Sequence, residues 1–364
     1  MTIVFSYSSL GNGGAEKNMV ALANYCVEKG NNVFIIVNSD GKTNHVIDYR
    51  ISIIALNNAK QSKNIISGFF STINSINKIR KILSTINPDL IFSFSTENAL
   101  IYKLANIKMI VIGAERSNPV MSRKSLQDKI RVKLSVILNG FVFQTYGAKN
   151  YYPKGIQKKS IVIPNAIIGN IDGSAIVPIN NRPIHSICAT GRLVKVKRYD
   201  ILINAMKIVL IDFPDTILNI YGEGPEKDNI SKLISLNKME NNVFLKGFSS
   251  QIYQDLINNK YFVLCSDYEG MPNGLIDAMA CGCVCISTNC DYGPSDLIVD
   301  GENGFIVSCN DVVELAQKIK SIFCHQYNET EISKSAMKIQ NKLNKAKIFA
   351  DYYEYINFIR RNNV

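Results

Sequence analysis

Short apolar segments of strand length alternate with longer amphipathic segments from one end of the chain to the other, the pattern of an α/β protein built on parallel sheets. In the front half, strands are expected near 2–7, 32–37, 52–55, 89–94, 109–113 and 140–144, with helices between them, notably 14–29 and 72–85. In the back half, strands fall near 185–190, 216–221, 242–245, 261–265, 283–287 and 304–307. A chain of 364 residues accommodates two domains of ordinary size. After IVIPNAI at 161–167, the segment GNIDGSAIVPINNRP is rich in Gly, Pro, Asn and Ser and reads as a linker between two doubly wound halves. Ligands of such sheets bind outside the carboxyl ends of the strands, so the loops that follow strands are where function is sought.

Charge and cysteine usage narrow the function classes. The net charge of +11 is uneven: residues 1–170 hold 21 Lys and Arg against 8 Asp and Glu, and the remainder holds 20 against 22. A basic front half suits nucleic acid, an anionic membrane surface or a diphosphate-bearing substrate. No zinc-finger spacing, aromatic RNA-binding strand or helix-turn-helix accompanies it, so nucleic acid is not expected. The nine cysteines form no CxxC pair, which favours reduced cytosolic thiols over a disulfide or zinc scaffold. Three histidines, at 45, 185 and 325, lie in different neighbourhoods, so metal-independent chemistry is expected. Met1 leads straight into the strand-like TIVFSY with no leader pattern, so secretion is not expected. The apolar runs 91–94 and 201–211 are too short or too interrupted to cross about 30 Å of hydrocarbon.

Three loops carry candidate chemistry. The first strand runs into SSLGNGGAEK, where Gly13 and Gly14 enter a helix and would let an anion approach its free amides. The spacing is neither GxGxxG nor GxxxxGK[ST], and a plain tight turn is the competing reading. In ATGRLVKVKRYDILINA, Arg192 and Lys197 stand at a strand-to-helix loop where a planar fork and a point charge can clamp a diphosphate. With Lys195 and Arg198 beside them, a solvated basic loop is the alternative. In LCSDYEGMPNGLIDAMACGCVCIST, Glu269 lies in a loop and Asp277 one turn into the following helix, whose first amides belong to Asn273 and Gly274. Both acids can face one ligand at that helix end, although each taken singly also fits a solvated surface.

GGAEK at 13–17, GRLVKVK at 191–197, YGEGPE at 221–226, FLKGF at 244–248, EGMPNGLIDAMACG at 269–282 and DGENGFIV at 300–307 occur in this order. Together they resemble the retaining GT-B glycosyltransferases of glycosyltransferase family 4, the glycosyl transferases group 1, of the bacterial polysaccharide type. The resemblance implies two Rossmann-like doubly wound domains facing a central cleft. It implies an acceptor-binding domain at 1–170, a donor-binding domain at 171–340, and a C-terminal helix at 341–364 packing back toward the first domain. Residue by residue, it implies that Arg192 and Lys197 hold the donor diphosphate and that the Gly13 and Gly14 loop approaches it from the other domain. Glu269 would contact donor-sugar hydroxyls and Asp277 the ribose, where the family usually has the longer Glu. Phe248 and the Gly222 to Gly224 turn would lie near the base, with core packing the alternative for Phe248. In GAERSNP, Glu115 and Arg116 would face the cleft, with a structural ion pair as the alternative, while Asn165 would cap a turn at the hinge.

The reaction so implied moves GalNAc, GlcNAc or Gal from a UDP-sugar to an undecaprenyl-diphosphate-linked glycan in O-antigen or capsule synthesis, with no cofactor and no metal. A GT-B epimerase acting on a UDP-N-acetylhexosamine and a non-catalytic nucleotide-sugar-binding protein are the alternatives. A cytoplasmic protein held peripherally at the anionic inner face of the membrane is expected, through Arg123, Lys124, Lys129, Arg131 and Lys133. Helix 72–85, with Phe69 and Phe70 before it, would add apolar contact unless it is simply buried.

Overall fold

The computed structural model describes residues 1–11, 13–57, 65–122, 125–169, 171 and 176–363, without the side chains of 65–72, 121 and 122. These form two compact units: Met1–Ile168 with Lys345–Val364, and Gly169–Asn344. Arg123 and Lys124, expected to face an anionic surface, lie outside the described residues, as do the side chains of Phe69 and Phe70.

The first unit holds seven parallel strands: β1 (Thr2–Tyr7), β2 (Asn32–Val37), β3 (Ser52–Ala55), β4 (Leu90–Ser93), β5 (Val111–Glu115), β6 (Gly140–Phe143) and β7 (Ser160–Val162). Their order is β3-β2-β1-β4-β5-β6-β7. The four residues of β4, LIFS, are all buried, as are those of β5 and β6. Such strands are covered on both faces, which is why they read as unbroken apolar runs without polar alternation. Strand β5 begins and ends two residues later than the sequence suggests. Its ladder with β6 continues as far as Glu115 opposite Phe143, so Glu115 closes the strand and does not follow it. The helix expected at 72–85 starts earlier, at Ile65–Ile86.

The helix Lys345–Arg361 completes this unit. Buried Tyr355 accepts a hydrogen bond from Phe141 N at 2.8 Å and donates to the Lys159 carbonyl at 2.5 Å, joining the helix to strand β6 and to the start of β7. A Cβ on Gly140 would lie 2.7 Å from that hydroxyl, so glycine leaves room for it. Arg360 pairs with Asp89 at 3.1 Å, and Asp89 also accepts from Thr2 N at 2.7 Å. Tyr355→Phe leaves a buried backbone N–H without its acceptor and is expected to destabilise the protein by about 1–3 kcal/mol, read as a lower midpoint in urea unfolding. An unchanged midpoint would show that water or another acceptor replaces the hydroxyl.

The second unit holds six parallel strands: β8 (Ser186–Thr190), β9 (Ile217–Tyr221), β10 (Val243–Gly247), β11 (Tyr261–Leu264), β12 (Val284–Thr288) and β13 (Phe305–Val307). Their order is β10-β9-β8-β11-β12-β13. Ile187, Leu202, Met206, Leu218, Val263 and Ile286 lie in its core. Strands β11 and β12 are wholly buried, and all nine cysteines of the chain are free thiols.

Candidate functional site

In the second unit the chain builds outward from β8 in one direction through β9 and β10, and in the other through β11, β12 and β13. The loops that leave β8 and β11 therefore diverge, and a crevice opens between them at the carboxyl edge. Both basic and acidic motifs fall on these two loops. Lys197 Nζ bonds Glu269 Oε1 at 2.5 Å, and Ser266 Oγ donates to the same oxygen at 2.6 Å. With Glu269 only 12% exposed, the pair is half desolvated and well fixed. Glu269 Oε2 makes no bond among the described residues.

The other cations of the β8 loop fare differently. Arg198 sits in the left-handed region at φ 47° as it opens helix Tyr199–Asp212. Its guanidinium reaches Asp200, Asp267 at 3.0 Å and Asn310, so its charge holds the loop in place. Asp267 N donates to the Val196 carbonyl at 2.9 Å, which joins the two loops. Arg192 is exposed, and its side chain has neither hydrogen bond nor ion pair among the described residues; the same holds for the Lys195 side chain. Arg192 and Lys197 are thus not an equivalent pair of free cations: Lys197 is already neutralised, and Arg192 is not.

Arg192 nevertheless stands on a rigid backbone. Gly191 N donates to the Tyr221 carbonyl at 3.0 Å and Leu193 N to the Glu223 carbonyl at 2.9 Å, so the β8–β9 ladder runs on past the strands and into the loops on either side of Arg192. The two loops touch so closely that a Cβ on Gly222 would lie 1.9 Å from the Gly191 carbonyl oxygen, and one on Gly224 would lie 2.3 Å from that of Leu193. The Gly222 turn is thereby explained by backbone contact alone. At the head of helix Asn273–Ala280, a Cβ on Gly274 would meet Thr190 Oγ1 at 2.3 Å. Glycine there brings the free amides of the helix against the end of β8, within the same crevice.

Glu269 and Asp277 enter separate networks. Asp277 Oδ1 accepts from the Tyr253 hydroxyl at 2.7 Å, and that hydroxyl accepts from Gly169 N at 3.0 Å. Burial, and then the neighbouring Asp277 carboxylate, push the Tyr253 hydroxyl well above the usual tyrosine range, so it remains a proton donor. Sequence reasoning missed Tyr253, because it lies in no motif and meets Asp277 only through the packing of helix Ile252–Ile257 on the following helix. Phe248 is 54% exposed just beyond β10, which removes core packing as its explanation.

In the first unit the order reverses between β1 and β4, and the glycine loop follows β1. Gly13 has an extended backbone at φ −79° and caps helix Gly14–Glu28, so no unusual conformation requires glycine. A Cβ there would instead strike Glu16 Oε2 at 2.2 Å. The Glu16 carboxylate folds back over the loop and accepts from Ser9 Oγ at 3.1 Å, so the place expected for an anion beside Gly13 holds an acid of the chain itself. Buried Glu115 accepts from Tyr152 OH at 2.5 Å and Ser117 Oγ at 2.9 Å. Arg116 lies over the Phe94 ring and donates to Tyr352 OH at 2.9 Å and Asn165 Oδ1 at 2.6 Å. Asn165 Oδ1 also accepts from Gln144 Nε2 at 2.6 Å, so this oxygen joins two donors.

Residues 180–339 match the family model of glycosyl transferases group 1. Among curated proteins, the poly(ribitol-phosphate) alpha-N-acetylglucosaminyltransferase of Staphylococcus aureus is 35% identical over 151 residues, which cover 40% of this chain and 31% of that enzyme. The chain thus spans about a third of that relative's length. The N-acetylgalactosamine-N,N'-diacetylbacillosaminyl-diphospho-undecaprenol 4-alpha-N-acetylgalactosaminyltransferase of Campylobacter jejuni is 27% identical, over 97% of this chain and 98% of its own. Among solved structures, Anabaena Alr3699/HepE in complex with UDP-glucose superposes with a TM-score of 0.80 at 18% identity, covering 98% of this chain and 99% of that one.

Proposed function

For a chain whose residues 180–339 match the glycosyl transferases group 1 family and which has the GT-B fold, we propose a retaining glycosyltransferase that moves a sugar from a UDP-sugar to a lipid-diphosphate-linked glycan. The observation that carries the reading is Arg192: an exposed guanidinium without a partner among the described residues, on a rigid loop at the switch point of the sheet, beside the Lys197–Glu269 pair. Arg192 clamps the donor diphosphate, with the amides of Asn273 and Gly274 behind it. Lys197 fixes Glu269, whose free Oε2 accepts from a donor-sugar hydroxyl. Asp277, oriented by Tyr253, takes the ribose, and Phe248 offers its exposed ring to the base.

Retention means that the anomeric bond to the diphosphate breaks and the new bond to the acceptor oxygen forms on the same face, the acceptor proton passing to the departing phosphate oxygen. Arg192 and the helix amides stabilise the charge that develops there, so no metal is called for. In the first unit, an acceptor that used Glu115 or Arg116 would compete with Tyr152, Ser117, Tyr352 and Asn165, and an anion beside Gly13 and Gly14 would have to displace Glu16. The leading donors are UDP-GalNAc, UDP-GlcNAc and UDP-Gal, and the leading acceptor is an undecaprenyl-diphosphate-linked intermediate of O-antigen or capsule at the inner face of the membrane. The Campylobacter relative, named for an undecaprenol-linked substrate, supports this acceptor class.

The test is UDP release from each candidate donor, with and without a lipid-diphosphate-linked sugar, in EDTA throughout. Release from one donor that depends on the acceptor is expected. Sugar interconversion without acceptor would replace the reading with an epimerase, and binding without turnover under any acceptor would make the chain a binding protein. Tyr253→Phe is expected to raise the donor KM about tenfold with little change in kcat, since a hydrogen bond to a charged acid contributes about 1.5–3 kcal/mol. An unchanged KM would free Asp277 of the ribose assignment.

A further inference from the structure

Two thiols meet at the edge of the candidate site, each carried there by a strand. Where β12 and β13 end, Thr288 stands opposite Val307, and the ladder runs one bond further, with Asn289 N donating to the Val307 carbonyl at 2.7 Å. Counting on two residues along each chain puts Cys290 beside Cys309. Neighbouring strands lie about 4.8 Å apart, inside the roughly 4.4–6.8 Å between Cα atoms that a disulfide spans. The side chains converge as well, since both thiols are hydrogen-bond neighbours of the Thr288 hydroxyl. The remaining cysteines are placed differently. Cys26, Cys188, Cys265, Cys281, Cys283 and Cys285 are buried, and Cys324 is exposed at the far end of helix Val312–Phe323. Cys188 and Cys283 also neighbour each other, but neither has any exposed surface. Cys309 is half-buried, so Cys290 and Cys309 are a pair that a reagent in solution can reach.

The pair is tied to both loops of the candidate site. Thr288 Oγ1 donates to the Ser266 carbonyl at 2.8 Å, and Ser266 Oγ in turn holds Glu269 Oε1. Asn310, next to Cys309, accepts from Arg198, which also binds Asp267. Beyond Cys290 the chain passes so close to the Glu269 loop that a Cβ on Gly293 would lie 3.0 Å from the Gly270 carbonyl oxygen. Burial, and then the Glu269 carboxylate, push the Cys290 thiol up to about 12, and burial raises Cys309 too. Neither is a standing thiolate, so oxidation is slow and begins at Cys309, the more accessible of the two.

We propose that Cys290 and Cys309 are a redox modification site, closing into a reversible disulfide by exchange with a small-molecule disulfide, and that the closed form turns over more slowly. The Cys309 thiolate attacks the small disulfide, forming a mixed disulfide and releasing a small thiolate, which takes up the proton that Cys309 lost. Cys290 then gives up its proton and attacks the Cys309 sulfur, expelling the second small thiolate, which takes that proton. Two protein thiols are oxidised and one small disulfide is reduced to two thiols, and excess thiol reverses both steps. To bond, the two sulfurs leave Thr288 and draw segments 289–293 and 308–310 together. Ser266 and Glu269 then lose their fixed places. The slowing of transfer rests on the glycosyltransferase reading, but the bridge itself does not.

Wild type, Cys309→Ser and Cys324→Ser, each as the full chain, are incubated with oxidised glutathione. Their peptides are mapped by mass spectrometry without reduction, and UDP release is followed with the donor that the release assay selects. A Cys290–Cys309 cross-link is expected in wild type and in Cys324→Ser. In both, release should fall roughly tenfold or more and return with dithiothreitol, since a misplacement of about 1 Å at a catalytic site can cost about 10²-fold. Cys309→Ser should form no such cross-link and keep the wild-type reduced rate before and after treatment. Glutathione on Cys324 alone, a bridge from Cys309 to Cys265, or one between Cys188 and Cys283 would overturn the assignment. So would a complete Cys290–Cys309 bridge that leaves the rate unchanged. Absence of UDP release from the reduced protein with every donor would defeat the glycosyltransferase reading, and the peptide map alone would then decide the disulfide.

Discussion

Arg192→Ala is expected to lower kcat/KM by roughly 10²- to 10³-fold while leaving the unfolding midpoint where it was. The two halves of that expectation have separate grounds. The loss is that of a fixed donor to charge that develops on the leaving diphosphate. The unchanged stability follows because this guanidinium holds nothing in the free protein: it is exposed and unbonded among the described residues. Lys197→Ala makes the useful contrast. It strands Glu269, 12% exposed and bonded to Lys197 at 2.5 Å, so both turnover and the unfolding midpoint should fall. Unaltered kinetics in Arg192→Ala would remove the diphosphate clamp from the proposal, whatever the donor.

Gly222→Ala is expected to destabilise the second unit by roughly 3 kcal/mol or more, the largest effect of any single methyl group considered. The position has φ +150°, which side chains rarely adopt, and the new Cβ would lie 1.9 Å from the Gly191 carbonyl oxygen. Neither side can yield easily, because both are backbone. Gly222 N donates to the Gly247 carbonyl at 2.8 Å, and the Gly191 carbonyl accepts from Tyr199 OH at 3.2 Å. Urea unfolding without any nucleotide checks it. If the variant were as stable as wild type and only UDP binding suffered, the glycine would serve ligand approach and not loop packing.

The strands were legible because burial on both faces makes a central parallel strand mostly apolar, as LIF at the start of β4 and VCI at the start of β12 show. Strand β7 was not, since its three half-buried residues sit at a sheet edge and run into the IVIPNAI segment, whose first two residues belong to the strand. In the candidate site, spacing identified residue types but not their partners. Arg192 and Lys197 look alike in sequence, and the difference between them is made by Glu269, which lies far along the chain and meets only Lys197. Gly13 reads as space for an anion, whereas the structure fills that space with Glu16. Helix Leu126–Leu134 shows the limit of periodicity most directly: the pattern says that one face is apolar, but nothing in it says that Leu126, Ile130 and Leu134 turn outward, as they do.

The first unit is assembled from two stretches of chain that are not neighbours in sequence, since helix Lys345–Arg361 belongs with Met1–Ile168 and the second unit lies wholly between them. During synthesis residues 1–168 therefore emerge from the ribosome before the helix that completes their unit, with the whole of the second unit made in between. The second unit is continuous, so it is free to finish beforehand. Until Tyr355 and Arg360 arrive, Phe141 N and Asp89 wait for their partners, and the nascent sheet is the species for which a chaperone would have most use.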